Sequence, residues 1–377
     1  MTAPLTALTA TTGTGRAFAH GLVVGKFYPV HAGHLNLVRT ALARCARVTV
    51  QVLVSTQESI PGELRAQWIR DELPQAHVLV GLDDEPVDYD SNEAWDAHVA
   101  VMQRLLAEAG RGTDPHGTGD TVDAVFTSDV YGAELARRFD AAWVQVDPGR
   151  IVVSVSGSAV RADPGAHWWS LPAGVRAWFA RRVVVLGAES TGTTTLAQDL
   201  QRHYGLPPVV EFGREWSEIR PGGLAAPWHS AEFDLVAREQ SRIEDAAAAR
   251  TPRPLLVCDT DVLATTLWHE RYVGTVSPSV VALAAARVPD LYLLTGDEIP
   301  FVQDGMRDGE HIRSQMQAAF RSTLKAQADA GGAPWVELRG SRAARLAGAV
   351  ELVDALCAEP RTIADPMPQV GQGLTVT

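Results

Sequence analysis

The stretch Gly25-Lys26-Phe27-Tyr28-Pro29-Val30-His31-Ala32-Gly33-His34 decides how this chain is read. An apolar run, Gly21-Leu22-Val23-Val24, leads into it, and Leu35-Asn36-Leu37-Val38-Arg39-Thr40-Ala41-Leu42 follows. The pattern predicts a strand, a glycine-bearing turn and a helix, an arrangement that aims backbone N–H groups at an anion. His31 and His34, three apart at the helix start, share one side of the first turn, so both can face a phosphate bound there. Gly33 between them lets the backbone approach closely. The plainer alternative for such a pair is a helix-capping turn.

Composition narrows the class. A chain of 377 residues has room for about two or three domains. Its 46% hydrophobic content fills globular cores, and its net charge of −12 argues against a nucleic-acid or anionic-membrane partner. Cys45, Cys258 and Cys357 are widely spaced and odd in number, which fits neither a disulfide framework nor a zinc motif and points to a reducing, cytoplasmic location. No apolar run approaches the ~18 residues of a membrane span. Residues 1–18 read as a disordered arm and residues 359–377 as a disordered, Pro/Gly-rich tail.

Outward from the opening stretch, Val48–Val54 is a β-branched run expected as a buried parallel strand. Glu63–Leu73 reads as a helix, His77–Val80 as a strand, and Asn92–Ala109 as a second helix after an acidic turn at Asp83–Pro86. Gly110–Asp120 reads as an exposed loop, Val122–Phe126 as a strand ending in Thr127-Ser128-Asp129, and Ala141–Val146 as another strand. The alternation predicts an open parallel sheet covered by helices, with ligands outside the C-terminal strand ends. Later, Val155-Ser156-Gly157-Ser158-Ala159-Val160-Arg161 offers serine caps and a cationic fork to phosphate oxygens. Alone it reads as a capped helix with a solvated arginine. Residues 166–181, rich in tryptophan, connect the two halves, either as a packed interface or as a helix of the first core.

The second half opens with Arg182-Val183-Val184-Val185-Leu186 and then Gly187-Ala188-Glu189-Ser190-Thr191-Gly192-Thr193-Thr194, the strand–G-x-x-x-x-G-K-[ST]–helix spacing of a phosphate-binding loop. Thr193 stands where that motif has lysine, so the backbone cradle and the Mg²⁺-ligating Thr194 remain while the point charge is missing. Glu211-Phe212-Gly213-Arg214-Glu215-Trp216 is expected after a short strand. Leu255–Cys258 is a buried strand ending in Asp259 and Asp261. Strands follow at Asp290–Leu294 and Trp335–Leu338, with a last helix to about Leu356. Between these strands, Phe301–Gly309 with Arg307, followed by a helix carrying Arg313, reads as a lid. Arg214, Arg307 and Arg313 are the candidate substitutes for the missing lysine.

The first stretch and the Ser156–Arg161 segment resemble the paired signatures of the nucleotidyltransferase superfamily, G-x-F-x-P-x-H-x-G-H and S-x-[ST]-x-x-R. Over Gly21–Leu356 the chain resembles the bifunctional nicotinamide-mononucleotide adenylyltransferase/ribosylnicotinamide kinase family, the NadR-like proteins. The likeness lies in the order of G-K-F-Y-P-V-H-x-G-H, V-S-x-S-x-x-V-R, W-x-x-x-P, G-x-E-S-x-G, E-F-G-R-E, D-T-D and D-G-M-R. It implies an α/β architecture: a Rossmann-like nucleotidyltransferase domain over residues 19–165, then a thymidylate-kinase-like P-loop domain over residues 182–358. It implies NAD salvage in two steps, ATP-dependent phosphorylation of nicotinamide riboside and adenylyl transfer to nicotinamide mononucleotide (NMN), with Mg²⁺ as cofactor.

By the same likeness, Gly25, Lys26, Phe27, His31, Gly33, His34, Ser156, Ser158 and Arg161 would hold the first ATP, with His31, His34 and Arg161 catalytic. Arg65, Trp68 and Trp95 would contact NMN. Gly187, Glu189, Ser190, Gly192, Thr193, Thr194 and Arg307 would hold the second ATP. Glu211, Arg214, Glu215, Asp259 and Asp261 would hold the nucleoside, with Thr194 and Asp259 on the metal and Asp259 also catalytic. Some members carry an N-terminal helix-turn-helix and repress transcription; about twenty residues precede the first strand, too few for that domain. Two readings of the second half stay open: a kinase using a substitute cation, or a silent nucleotide sensor. The oligomeric state, a homo-oligomer included, is open too.

Overall fold

The computed structural model describes residues 16–110, 121–223, 225–303 and 310–364. The chain divides into two units, Met1–Val175 with Arg361–Thr377, and Arg176–Pro360.

In the first unit the order is β1 (Phe18–Gly25), α1 (Ala32–Arg44), β2 (Cys45–Val54), α2 (Gly62–Glu72), β3 (His77–Leu82), α3 (Asn92–Gly110), β4 (Ala124–Thr127), α4 (Gly132–Phe139), β5 (Ala142–Gln145) and α5 (Gly157–Ala162). All neighbouring strands pair in parallel, in the order β3-β2-β1-β4-β5. The chain builds outward from β1 on one side and then crosses to β4 on the other. A crevice therefore opens between the C-terminal ends of β1 and β4, where the strand order reverses. The Gly25 turn leaves β1 at that point. Leu22, Val23 and Val24 are 0–6% exposed, as an apolar strand covered on both faces must be.

A 3₁₀ turn at Trp168–Ser170 and α6 (Ala173–Phe179) come next. The second unit then runs β6 (Arg181–Leu186), α7 (Thr193–Tyr204), α8 (Phe212–Ile219), α9 (Ser230–Arg250), β7 (Leu255–Asp259), α10 (Val262–Val273), α11 (Pro278–Ala285), β8 (Leu291–Thr295), α12 (Glu310–Asp329), β9 (Trp335–Leu338) and α13 (Arg342–Ala358). Its parallel sheet has the order β7-β6-β8-β9, so the order reverses between β6 and β8. The phosphate-loop sequence leaves β6 at that reversal. All five residues of β7 and of β8 are buried, Asp259 included.

One expected element is absent. No strand precedes Glu211; a single bond, Asp259 N–H to the Val209 carbonyl (3.1 Å), ties that segment to the sheet. Pro207 and Pro208 have no N–H to give to a ladder. Residues 111–120 of the expected loop, the lid segment 304–309 with Arg307, and most of the arm and tail lie outside the described residues. Among the described residues no helix is long and apolar enough to cross a membrane.

Candidate functional site

In the first unit, His31 caps α1: its Nδ1 accepts the Gly33 N–H at 3.1 Å. The two imidazoles stack, with centroids 3.7 Å apart, and Phe27 lies 5.0 Å from His34. A Cβ on Gly33 would lie 3.0 Å from the His31 ring, so a larger residue would press on this cap. The second segment meets the first directly. Arg161 Nη1 donates to the Tyr28 carbonyl (2.9 Å) and Nη2 to Ser158 Oγ (2.9 Å), while Ser156 Oγ caps α5 by accepting the Ala159 N–H. A Cβ on Gly157 would lie 3.1 Å from Arg161 Nη1 and 4.0 Å from His31 Nε2. Two motifs over a hundred residues apart thus form one cluster.

Burial sets its charge. His31 is pushed far below its ordinary range by burial, then by His34, Arg150 and Arg161. His34 is pushed down to about 4 by burial, then by Arg150 and Arg161. Both are neutral imidazoles near pH 7, able to donate hydrogen bonds, while the positive charge belongs to the arginines.

Arg150 was missed by sequence reasoning. It belongs to a tight loop in which the Asp147 carboxylate accepts the N–H groups of Ile151, Val152 and Val153 (2.8–3.0 Å). Asp147 and Arg150 both take positive φ, +48° and +49°, and Arg150 pairs with Asp129 (3.3 Å) beyond β4. The Asp147-Pro148-Gly149 turn was the available signal.

Five sequence candidates are held by contacts within the first unit. Arg65 is 1% exposed: it pairs with Glu58 (2.7 Å) and donates to the Lys26 carbonyl (2.7 Å), so it supports the turn. Lys26 Nζ reaches the same buried Glu58 at 2.8 Å. Trp68 is buried against Gly174. Trp95 packs in the core with Val99, Met102 and Leu106, its Nε1 donating to the Tyr89 carbonyl. Phe27, 2% exposed, presents its ring to His34 rather than to a ligand. The three expected NMN contacts, Arg65, Trp68 and Trp95, are therefore core and support residues in this structure.

In the second unit a cleft of about 430 Å³ is lined by Gly187–Ser190 and Gly192–Thr195, by Glu211, Arg214, Asp259 and Thr265, and by the aromatic group Trp228, Phe233, Trp268 and Tyr272. Gly192 turns the loop into α7 with φ +88°, a conformation that glycine adopts without strain. The loop is braced from the protein side. Arg313, 6% exposed, donates to the Ser190 carbonyl (3.1 Å), Arg345, 5% exposed, to the Thr191 carbonyl (2.6 Å), and the Ala188 N–H donates to Gln317 (3.0 Å). Arg313 is thus a backbone support and not the substitute cation expected of it.

Asp259 accepts a hydrogen bond from Thr194, and burial pushes its carboxyl up to about 6. Glu211 is pushed up to about 7 by burial and then by Asp259. Asp261 is not at the cleft: it caps α10 through the Ala264 N–H (3.1 Å) and accepts the Tyr292 hydroxyl (2.8 Å). Glu215 is exposed and does not line the cleft. The aromatic group was also missed; Trp228 and Tyr272 stack at 5.3 Å although they come from separate segments.

These shifts give the units opposite pH dependences. Folded His34 releases its proton by about 4, whereas the unfolded side chain holds it to 6.5. The unfolded state then binds more protons across that window, so the first unit gains stability as pH rises through it. His20 and His77, also lowered, act with His34, and His98, raised by Asp83, opposes them. In the second unit folded Glu211 and Asp261 hold protons to about 7 and Asp259 to about 6, against 4.5 and 3.8 when unfolded. There the folded state binds more protons, and the unit loses stability as pH rises through that window. Thermal proteolysis at about pH 5 and about pH 7, read from the peptides released by each unit, is expected to show the two moving in opposite senses. Movement in the same sense would contradict the assignment.

Residues 182–345 match a family described as "AAA domain". The trifunctional NAD biosynthesis/regulator protein NadR of Escherichia coli (strain K12) is 27% identical over 302 residues, covering 76% of this chain and 71% of that protein. The NadR of Salmonella typhimurium (strain LT2) is 26% identical with the same coverage. A crystal structure of NadR protein in complex with NR superposes with a TM-score of 0.71 at 19% identity, covering 93% of this chain and 99% of the other. One of NadR with NAD and AMP-PNP gives 0.66 at 18%, covering 93% and 100%. Sequence likeness through most of both chains, on a shared α/β fold with parallel sheets, makes this chain a homologue of NadR.

Proposed function

We propose that this chain makes NAD from ATP and NMN in its first, Rossmann-like nucleotidyltransferase unit, and phosphorylates nicotinamide riboside with ATP in its second. The observation that carries the reading is the bond from Arg161 to the Tyr28 carbonyl, which joins the histidine turn to the Ser156–Arg161 segment at the reversal point of the sheet. NadR homology supports a role in NAD metabolism.

In the first site an oxygen of the NMN phosphate attacks the α-phosphorus of ATP; that P–O bond forms as the bond to the pyrophosphate oxygen breaks. No covalent enzyme intermediate is needed, so positioning and charge neutralisation carry the step. His31 and His34 donate hydrogen bonds to the triphosphate, and Arg161 and Arg150 supply charge. In the second site the aromatic group takes the nicotinamide ring, whose positive charge favours aromatic faces. Glu211 accepts the proton of the 5′-hydroxyl as its oxygen attacks the γ-phosphorus and the bond to the bridging oxygen breaks, releasing ADP. Thr194 and Asp259 suit Mg²⁺, which takes one or two protein oxygens beside phosphates and waters. When bound, Mg²⁺ neutralises phosphate charge.

Thr193 favours a second reading, in which this unit binds nucleotide without transferring phosphate. Incubating the purified chain with ATP and either NMN or nicotinamide riboside decides between them. NAD from NMN and ADP from the riboside are expected. No NAD would overturn the first assignment, and nucleotide binding without ADP release would favour the sensor.

A further inference from the structure

The second unit has the loop of a phosphate-transfer enzyme without its lysine, and its other cations are not interchangeable. Arg313 and Arg345 are buried, and each donates to backbone carbonyls of the loop or its surroundings: Ser190 for the first, Thr191 and Gly296 for the second, which also pairs with Glu298 at 2.7 Å. Both hold the loop's shape, and neither lines the cleft. Among the described residues lining the cleft, Arg214 is the one lysine or arginine. It stands in the first turn of α8, beside Glu211.

Its position along the cleft can be fixed. Asp259 is bonded to Thr194 in the first turn of α7, so this carboxylate marks the phosphate end, and Trp228 and Tyr272 mark the ring end. Arg214 follows Glu211, the N-cap of α8, by three residues and lines the same cleft as Thr194, Asp259 and Glu211, so it stands with the carboxylates.

We infer that Arg214 supplies, from α8, the positive charge on the transferring phosphate that the loop lysine would otherwise provide. The inference rests on the phosphate-transfer reading of this unit. A planar guanidinium suits the task because its fork can bridge two phosphate oxygens, where lysine acts as a point charge. It also explains how the loop can function with Thr193: the hydroxyl leaves the cradle open, and the charge enters from the facing helix.

The test uses the full chain and five variants: Arg214→Ala, Arg214→Lys, Thr193→Lys, Thr193→Lys with Arg214→Ala, and Arg307→Ala. Riboside-dependent ADP release is expected to fall about a hundredfold or more in Arg214→Ala, the scale for losing one fixed donor, and less in Arg214→Lys. The double variant is expected to recover most of the rate, because charge returns from the loop. That rescue also shows that the variant folds and still binds nucleoside. Binding of AMP-PNP is expected to weaken about tenfold in Arg214→Ala and to recover in the double variant, while AMP, lacking the outer phosphates, is unaffected. An unchanged rate in Arg214→Ala, a loss that Thr193→Lys does not repair, or a loss confined to Arg307→Ala would overturn the inference. If neither wild type nor Thr193→Lys releases ADP, the kinase reading fails, and the AMP-PNP measurements alone decide the role of Arg214.

Discussion

His34→Ala is expected to lower adenylyl transfer to NMN by about two to three orders of magnitude, the scale for removing one preorganised donor from a charge-developing site. The loss is larger than one hydrogen bond because the imidazoles act as a pair. His34 is stacked on His31 at 3.7 Å, and it shields a ring whose Nδ1 is already committed to the Gly33 N–H. Without His34, His31 loses its neighbour and the turn loses its packing against Phe27. Riboside-dependent ADP release in the same sample is expected to persist, since the phosphate loop belongs to the other unit. Measuring both rates on one preparation checks this: equal loss of both in a folded variant would refute the two-site assignment.

Glu211→Gln is expected to lower phosphorylation of nicotinamide riboside by about two to four orders, the range for a general base. Of the three carboxylates considered, Asp261 is occupied by the α10 cap and Tyr292, and Asp259 by Thr194. Glu211 faces the cleft, with its carboxyl raised to about 7. The wild-type rate should therefore climb with pH through about 7 as Glu211 loses its proton, and this limb should vanish in the glutamine variant. Asp259→Asn is expected to fail differently, with a loss that added Mg²⁺ partly restores. A Glu211→Gln enzyme that keeps both its rate and its pH limb would return the base to Asp259.

How much of this was legible in the sequence depended on range. The strand–turn–helix at Gly25–His34 was readable because its determinants are local: an apolar run, then glycine and a capping side chain. The same holds for the loop from Gly187 to Thr194. The core packing of Trp95 was visible too, since Trp95, Val99, Met102 and Leu106 recur at helical spacing and form a core stripe. Arg65 misled for a different reason. It lies on the buried side of α2 with Trp68 and Ile69, and the buried Glu58 and the Lys26 carbonyl together make an arginine tolerable there. The aromatic group of the second cleft was illegible because α9, α10 and the segment before α9 meet only in three dimensions.

The arginine braces on the phosphate loop bear on how quickly nucleotide is captured. A loop that wandered among shapes would bind only during the fraction of time it was correctly formed, and its apparent affinity would fall by that fraction. Here Arg313, Arg345 and Gln317 hold the Ser190 and Thr191 carbonyls and the Ala188 N–H from the protein side. Such braces narrow the shapes open to the loop, so the binding conformer fills more of its time. A capture rate that rises in proportion to nucleotide concentration, without a plateau, is the expected signature of a loop held in this way.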